Sequence, residues 1–455
     1  METTVDYLSS YSLSLDFNEL PGEVIHQTKR QLIDSLGCAI GGFESEPSKI
    51  ARRIASGVSC RQPATIIGSG QQTTPELATF ANGIMVRYID FNDVYRSAET
   101  KEGGHPSDNF APVLSCAEIA HADGKRFITA AVLAYEIFLG LNASVNLREK
   151  GLDHVTNGVI SSVIGASKVL GLSSDQMAQA INLALVANIA LCQTRVEGVS
   201  MWKGCAFANT ARNAVFAAQL ASQGLTGPTP IFEGRYGFFN ALGGTFKLAP
   251  LGSNSRSFRI MGAAIKPFPA GGLSLAAIEA ALIIRPHIIN VEDITEVNIK
   301  TSNMSFEIMA GDPEKWHPKN RETADHSIPY VIAVALMFGG VEVHHFSQDY
   351  LHNTQLIELV QKVKVTPSEE CNRMMPEANV GIVEVATKSG QKFSERVDYH
   401  RGHPKNPMND GDIEKKFLSL TRDHLNSERS KSILDLIWNL EQVEDINQLM
   451  LLLTF

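Results

Sequence analysis

The chain has 455 residues, of which 44% are hydrophobic and 20% charged, and it carries a formal net charge of -9. This balance is typical of a folded globular protein, and the length exceeds that of one ordinary core, so we expect two domains. Lysine and arginine are scattered along the chain, which argues against a nucleic-acid partner. The six cysteines occur singly, without the CxxC spacing of a zinc or iron–sulfur site or the pattern of a disulfide framework.

The first residues, Met1 to Asp6, lack the basic and then apolar order of a signal peptide. No window of the sequence reaches about 18 uninterrupted apolar residues, the length that a membrane span needs. We therefore expect a cytoplasmic protein that has no membrane partner.

From about residue 5 to 250 the hydrophobic pattern is helical. Ile25, Leu32, Leu36 and Ile40 share one helix face, which begins after Pro21-Gly22 and ends at Gly41-Gly42. Further stretches are apolar on most sides and rich in Ala, Gly and Ser, which indicates helices packed closely inside a bundle. These stretches are Val159–Leu172, Met177–Cys192 and Ala206–Gln223.

After about residue 290 the period changes to two. Val297, Ile299 and Thr301 alternate with polar residues, as do Val363 and Val365, and 383–387 with 393–397 reads as a hairpin. Helical stretches are predicted at 274–284 and 328–338, and again at 411–424 and 430–453. The fold class is therefore mainly α: a large all-helical domain, 1–265 rejoined by 405–455, plus a smaller α+β domain, 266–404.

The most informative stretch runs from Arg87 to Tyr95 and continues at Gly103-Gly104-His105-Pro106-Ser107-Asp108-Asn109. Acidic side chains and one histidine meet there beside apolar helices. Such groups are costly to bury unless they bind a ligand or move protons. We interpret the chain as an enzyme.

Two histidines each lie just before an apolar helix. His105 lies between Gly104 and Pro106, and His154 precedes the buried run that starts at 159. Histidine can both take and give a proton near neutral pH. Each histidine taken alone could instead have a structural role, but the setting that the two share favours a catalytic one.

Two lysines are set in apolar frames. Lys203 lies at the start of an apolar helix, with Arg212 nine residues on, and Lys266 opens the segment Lys-Pro-Phe-Pro-Ala-Gly-Gly272. Such a lysine can pair with a substrate carboxylate or stabilise an enediolate. Alternatively, its ammonium group could extend to the solvent.

Asp90 and Asp93 could orient a histidine or lysine, bind a substrate hydroxyl, or cap a turn. A calcium loop is excluded, because the glycine and the twelfth-position glutamate of an EF-hand are missing. No Walker loop, GxSxG elbow or HExxH motif occurs, so we expect no metal and no cofactor.

Seven motifs occur in the order seen in the MmgE/PrpD family, which the chain resembles over nearly its whole length. The family contains 2-methylcitrate dehydratase, cis-aconitate decarboxylase and iminodisuccinate epimerase. The motifs are Asp90-Phe-Asn-Asp93, Gly104-His-Pro-Ser-Asp-Asn109, Leu152-Asp-His154, Lys203 with Arg212, Lys266-Pro-Phe-Pro269, Ala324-Asp-His-Ser-Ile-Pro-Tyr330 and Gly402-His-Pro-Lys-Asn-Pro-Met408.

The resemblance implies a helical domain with a smaller α+β lid domain in a homodimer, and a metal-free site that acts on a small di- or tricarboxylate. The implied site residues are Asp90, His105, His154, Lys203, Lys266 and Tyr330.

Our hypothesis from the residues and the resemblance is a dehydration. Lys203 and Lys266 grip the carboxylates of a citrate-like acid, one of His105 and His154 removes a proton, and the other protonates the departing hydroxyl. Asp90 orients a histidine and Tyr330 closes the pocket, and Asp93, Arg212 and Gly271 join them as substrate-binding residues.

The sequence departs from the family pattern at two places. The histidine that follows the Lys-x-Phe-Pro element in dehydratases and decarboxylases is absent, since Gly271, Gly272, Leu273 and Leu275 fill that stretch, and Val94 replaces a hydroxyl residue. The vacated space could admit a longer alkyl arm. The forms Gly104-His-Pro-Ser-Asp-Asn109 and Leu152-Asp-His154 resemble the 2-methylcitrate dehydratase branch more than the decarboxylase branch, so dehydration of 2-methylcitrate or another 2-alkylcitrate is our first choice. A cis-aconitate-type decarboxylase, a dicarboxylate epimerase and a non-catalytic acid-binding protein remain open.

Overall fold

The computed structural model describes residues 3–196, 199–253 and 255–455. The chain divides into two compact units. The first comprises Met1–Arg195, Met201–Ala263 and Asn409–Phe455, and the second comprises Val196–Ser200 and Ala264–Met408. Helices dominate the secondary structure of the described residues, so the prediction of a mainly α protein is confirmed.

The first unit is built from long helices. In chain order the first ten are α1 (Thr4–Ser14), α2 (Gly22–Gly41), α3 (Glu46–Ala55), α4 (Pro75–Tyr88), α5 (Phe110–Ile119), α6 (Gly124–Asn142), α7 (Val155–Leu170), α8 (Ser174–Val186), α9 (Trp202–Ser222) and α10 (Phe238–Ala241). The next seven helices belong to the second unit and are described with it. The C-terminal part of the chain then adds α18 (Asp410–Thr421), α19 (Ser427–Trp438) and α20 (Asn447–Leu452) to the first unit.

Small residues let the central helices approach closely, as the composition predicts. Helix α4 packs against α9, and α7 packs against both α6 and α9. A Cβ atom added to Gly83 of α4 would lie 3.0 Å from Cβ of Ala208 on α9, and one added to Gly165 of α7 would lie 3.0 Å from Cβ of Ala134 on α6. Larger side chains would force these backbones apart.

Two short ribbons correct the expectation that this part is all-helical. Strand β1 (Ala64–Thr65) pairs with β2 (Gln72–Thr73), and β3 (Tyr95–Arg96) pairs with β4 (Gly103–Gly104), both antiparallel. Strands of two residues are too short to show a period-two pattern, so periodicity does not predict them. The second ribbon leads directly into His105.

The helix predicted from Pro21-Gly22 to Gly41-Gly42 is confirmed as α2, and Leu32 and Leu36 are buried in it. Two other predicted helices end or break early. The helix expected over 177–192 ends at Val186, because the following segment bonds to another part of the chain, with the N–H of Asp153 donated to the carbonyl of Ala190.

The helix expected over 430–453 is interrupted between α19 and α20. There the carbonyl of Val443 accepts the N–H of Gly124, and the N–H of Ile446 is donated to the carbonyl of Ala122. These tertiary hydrogen bonds replace the bonds of a continuous helix.

The second unit combines a four-stranded sheet with helices. The strands, in spatial order, are β6 (Val363–Pro367), β5 (Ile294–Thr301), β7 (Gly381–Thr387) and β8 (Lys392–Val397). The helices are α11 (Leu275–Ile284), α12 (Asn303–Met309), α13 (Arg321–Ala324), α14 (Ile328–Phe338), α15 (Gln348–Leu351), α16 (Thr354–Val360) and α17 (Glu369–Met374).

The predicted strands and the two predicted helices of this unit are confirmed. Strand β5 pairs in parallel with β6, with Val297 opposite Val363, and antiparallel with β7, while β7 and β8 form the predicted hairpin. Helix α11 packs on β7 and β8 and also contacts α14, so that Val297, Ile299 and Val331 share one buried core.

No helix of the described residues is both long enough and apolar enough to cross a membrane.

Candidate active site

The turn after α4 places an acidic residue in an uncommon backbone conformation. Helix α4 ends at Tyr88, and Asp90 has a φ of 53°, in the left-handed region that Asp tolerates better than most side chains. Its side chain is fully buried, and its Oδ1 accepts a hydrogen bond of 2.7 Å from Nη1 of Arg87. A strained, buried carboxylate of this kind is typical of functional sites.

Both ring nitrogens of His105 are engaged, and the partners fix its tautomer. The backbone carbonyl of Asp93 lies 2.7 Å from Nδ1 and can only accept, so Nδ1 carries the proton. Nη2 of Arg87 lies 2.9 Å from Nε2 and can only donate, so Nε2 is the acceptor. His105 is therefore held as a neutral imidazole whose basic lone pair points at a guanidinium.

His154 has a different setting, immediately before α7. Its Nδ1 lies 2.9 Å from Oδ1 of the fully buried Asp153, whose Oδ2 accepts a 2.7 Å hydrogen bond from Nε of Arg195. Burial alone would raise the pKa of Asp153, but the charges of Arg195 and His154 outweigh burial and hold this pKa well below its usual range. Asp153 is therefore an anion that orients the imidazole.

The second nitrogen of His154 is the chemically available one. Within the part of the chain that the structure describes, Nε2 of His154 is buried and has no hydrogen-bond partner. With Nδ1 donating to Asp153, Nε2 presents an unused lone pair. This is the arrangement that a general base requires.

The two imidazoles are neighbours. Their ring centroids lie 6.1 Å apart and the rings meet edge to face, at 62°. Gly104 makes this approach possible, because a Cβ atom at that position would lie 2.7 Å from Cζ of Phe138 and 3.1 Å from Cδ2 of His154. The structure thus brings together two of the residues that the sequence singled out.

Lys203 joins this group through Asp90. It lies in the first turn of α9, is 4% exposed, and its Nζ lies 3.6 Å from Oδ2 of Asp90. The carbonyl of Lys203 also accepts a 3.1 Å hydrogen bond from Nη1 of Arg195. Arg87 and Lys203 are therefore held by the carboxylate of Asp90, and Arg195 by that of Asp153.

The carboxylate of Asp90 contacts two cations, Arg87 and Lys203. That Asp90 also orients a histidine stays a prediction. The ring of His105 contacts Arg87 and a backbone carbonyl, and that of His154 contacts Asp153. A buried carboxylate such as that of Asp90 is stabilised most by the full charges of a guanidinium and an ammonium.

Asp93 is also placed differently from the prediction that it binds substrate. It is fully buried, and its carboxylate accepts hydrogen bonds from the Ser107 hydroxyl at 2.6 Å and from the Tyr135 hydroxyl at 2.9 Å. Burial raises the pKa of Asp93 to about 7, against the opposing effect of these donors. Burial likewise raises the pKa of neighbouring Asp108 to about 7, although Arg87 opposes it. Asp93 braces the loop that carries His105.

Arg212 lies apart from Lys203, which corrects its assignment as a substrate ligand. Nine residues correspond to about 2.5 turns of an α-helix, so the two side chains leave α9 on opposite faces. The guanidinium of Arg212 donates to Oδ1 of Asn213 and stacks over the ring of Phe80.

The remaining predicted residues belong to the second unit. Lys266 is fully buried, and its Nζ donates a 3.1 Å hydrogen bond to the carbonyl of Ala270, within its own turn. The space beside Gly271 is filled, since a Cβ atom there would lie 2.7 Å from Cε of Met309 and 3.3 Å from Cδ2 of His326. The expectation of vacated space for an alkyl arm at this glycine is therefore wrong.

Tyr330 is a core residue of α14. It is 2% exposed, and its hydroxyl donates a 2.6 Å hydrogen bond to the carbonyl of His345. The phenol proton is thus used within the second unit, and the role of Tyr330 as the residue that closes the pocket stays a prediction.

Sequence reasoning missed Arg87, Asp153 and Arg195. Arg87 opens the stretch singled out above, three residues before Asp90, and Asp153 lies inside the motif Leu152-Asp-His154, yet nothing in a linear pattern shows which side chain pairs with which. Arg195 carries no motif at all. The sequence points to Arg195 only indirectly, because a buried aspartate beside a histidine requires a further cation.

The whole chain resembles known proteins. Family models match it as the MmgE/PrpD N-terminal domain over residues 6–251 and the MmgE/PrpD C-terminal domain over residues 268–442. The cis-aconitate decarboxylase of Homo sapiens is 26% identical, over 96% of this chain and 92% of its own length. The 2-methylcitrate dehydratases of Salmonella typhimurium, 28% identical, and Escherichia coli, 27% identical, match 88% of this chain and 85% of their own length.

Proposed function

The chain belongs to the MmgE/PrpD family, and from that premise we propose that it is a hydro-lyase that removes water from a citrate-like tricarboxylic acid, 2-methylcitrate or a longer 2-alkylcitrate. The single observation that carries the proposal is the Asp153–His154 pair, which presents an unbonded, buried imidazole nitrogen in the same unit as Arg87, Lys203 and Arg195, the cations held by Asp90 and Asp153.

The base is His154. A proton on a carbon next to a carboxylate is weakly acidic, so its removal needs a positioned base and a cation that stabilises the enediolate. Nε2 of His154 takes the proton, and the resulting imidazolium is stabilised by Asp153. This differs from a mechanism in which His105 and His154 exchange roles freely, because Nε2 of His105 already accepts from Arg87.

The cations bind the substrate. Lys203 is attached to the site by a 3.6 Å contact with Asp90, and a substrate carboxylate would compete with Asp90 for this ammonium. Lys266, which the family resemblance implies, is the proposed second carboxylate ligand. Reaction without a metal or cofactor, a homodimeric assembly and a cytoplasmic location are parts of the same proposal.

The test is an assay of the purified full-length protein with citrate, 2-methylcitrate and longer 2-alkylcitrates, in which the ultraviolet absorbance of a new conjugated double bond reports dehydration. We expect turnover of at least one of these acids, and loss of turnover in His154→Gln. Carbon dioxide release from cis-aconitate without dehydration would favour the decarboxylase instead, in accord with the relative from Homo sapiens.

Two further outcomes would refute the dehydratase. Inversion of a chiral dicarboxylate without loss of water would indicate an epimerase. Saturable binding of these acids with no chemical change would indicate a non-catalytic acid-binding protein.

A further inference from the structure

A buried ion pair joins two helices of the first unit and has no part in the proposed mechanism. Nζ of Lys416, on α18, lies 2.5 Å from Oδ1 of Asp34, on α2, and both side chains are buried. A glycine lets the helices approach, since a Cβ atom added to Gly37 of α2 would lie 3.2 Å from Cα of Phe417 on α18. The desolvation of a buried pair offsets much of its attraction, so stability alone is a weak explanation for this one.

The ammonium group of Lys416 also reaches the loop that follows α4. Its Nζ donates a 2.7 Å hydrogen bond to the carbonyl of Phe91 and lies 3.9 Å from the centroid of the Phe91 ring. A charged donor makes a stronger hydrogen bond than a neutral one, and a cation over an aromatic face adds further attraction. One side chain of α18 therefore fixes both the backbone and the ring of the residue that follows Asp90.

The turn at Asp90 needs such support. Its φ of 53° is a conformation that a residue other than glycine keeps only where the surrounding structure holds it. Phe91 is the next residue, and its carbonyl belongs to the peptide that leads on to Asn92. The bond from Lys416 is thus one of the restraints on the strained turn.

The loop acts on proposed site residues on both sides of Phe91. Before it, Oδ2 of Asp90 lies 3.6 Å from Nζ of Lys203. After it, the carbonyl of Asp93 lies 2.7 Å from Nδ1 of His105. A displacement of Phe91 would therefore move a partner of the lysine and a partner of the histidine together.

We propose that Lys416 is a positioning residue of the active site. By holding the carbonyl of Phe91, it keeps Lys203 and His105 in the geometry that turnover needs. The inference rests on the proposed function, which gives these two residues their roles. The competing explanation is a purely structural pair, in which Lys416 only neutralises Asp34 between α2 and α18.

The experiment separates the two explanations with variants that break the same ion pair. Lys416→Met removes the donor to the Phe91 carbonyl, whereas Asp34→Asn leaves that donor in place and still offers the ammonium an acceptor. Lys415→Met, at the exposed neighbouring position of α18, is the matched control. The melting temperature, kcat and KM of each full-length variant are measured with 2-methylcitrate, or with whichever acid the wild type dehydrates.

We expect both Lys416→Met and Asp34→Asn to melt at lower temperature, because each leaves a buried group without its partner. Only Lys416→Met should lose about 10–100-fold in kcat/KM, the effect of a small misplacement of site residues. Lys415→Met should match the wild type. The double variant Asp34→Asn/Lys416→Met should melt above Lys416→Met, since neither charge is then left unpaired, yet its activity should stay low.

The double variant also keeps the test decisive if Lys416→Met does not fold. Wild-type kcat/KM in either variant that lacks Lys416 would overturn the inference. An equal loss of activity in Lys416→Met and Asp34→Asn would overturn it too, because activity would then follow the ion pair and not the bond to Phe91.

A second comparison tests whether Lys416 acts through Lys203. Lys416→Met should raise KM in the wild-type background and raise it much less in a Lys203→Met background, because the substrate ligand that it positions is already gone. Two independent structural losses would instead multiply. Independent effects on KM would therefore contradict the proposed route.

Failure of the proposed function has a separate signature, since the wild-type protein then dehydrates none of the acids. The hold on the turn is still measured by hydrogen exchange of the backbone amides in peptides that cover 88–96. We expect faster exchange there in Lys416→Met than in Asp34→Asn, and equal exchange in the two variants would overturn the inference by itself.

Discussion

Replacement of Asp153 by asparagine tests the orientation of the proposed base. Asn keeps the size of the side chain and one acceptor, but it removes the negative charge that lies 2.7 Å from Nε of Arg195 and 2.9 Å from Nδ1 of His154. Removing one partner of a buried ion pair typically costs about 3–5 kcal/mol. Because Asn still accepts one hydrogen bond, we expect the lower end of this range, about 3 kcal/mol, in the free energy of unfolding.

The activity of Asp153→Asn should fall by more than its loss of stability explains. Loss of the carboxylate that stabilises an imidazolium removes much of the benefit of general base catalysis, about 10²–10⁴-fold in kcat.

The pH dependence of stability has a definite sign. The pKa of Asp153 is lower in the folded protein than in the unfolded chain, so its contribution is fully present above about pH 4 and is lost as the pH falls below that value. The stability difference between wild type and Asp153→Asn should therefore be constant from pH 7 to about 5 and shrink below about pH 4.

The assays are chemical unfolding across this pH range and initial rates of double-bond formation. Asp175→Asn, at an exposed position in the first turn of α8, serves as the matched control and should change neither property by more than a small amount. Wild-type turnover in Asp153→Asn would refute the assignment of His154 as an oriented base.

Three further predictions follow from the first unit. Burial raises the pKa of Asp93 to about 7, so the stability that its protonated form contributes below about pH 4 is lost as the pH rises to about 7. In Asp93→Asn the free energy of unfolding, measured by chemical unfolding, should therefore fall less over this pH range than in the wild type. Gly104→Ala should destabilise the protein by about 1–3 kcal/mol and reduce kcat, because the methyl group meets Phe138 and His154; an unchanged melting temperature would contradict the packing. Lys203→Met should raise KM for the tricarboxylate by about 10–100-fold, the value of one charge-assisted hydrogen bond, and an unchanged KM would exclude carboxylate binding by Lys203.

Periodicity was enough to predict the regular elements. The apolar positions of α2 and the alternating valines of β5 and β6 each have one buried face, which the sequence displays directly. The early end of α8 and the break before α20 could not be predicted, because distant backbone groups at Asp153 and Gly124 take over the hydrogen bonds there.

The candidate site was predictable only as a set of residue types. His105, His154 and Lys203 stand out because polar groups among apolar helices are unusual, and the structure places them in one unit. Their partners depend on tertiary contacts, so the pairing of His154 with Asp153 and of Asp90 with Arg87 could not be inferred. Arg212 is the exception, since a spacing of nine residues already places it on the opposite face of a helix.

The most direct test of the central claim, that Nε2 of His154 removes the substrate proton, is the rate of deuterium entry into a recovered tricarboxylate in deuterium oxide. We predict that wild-type protein catalyses this exchange and that His154→Gln, although folded, does not. Exchange at the wild-type rate in His154→Gln would show that another group is the base and would contradict the mechanism.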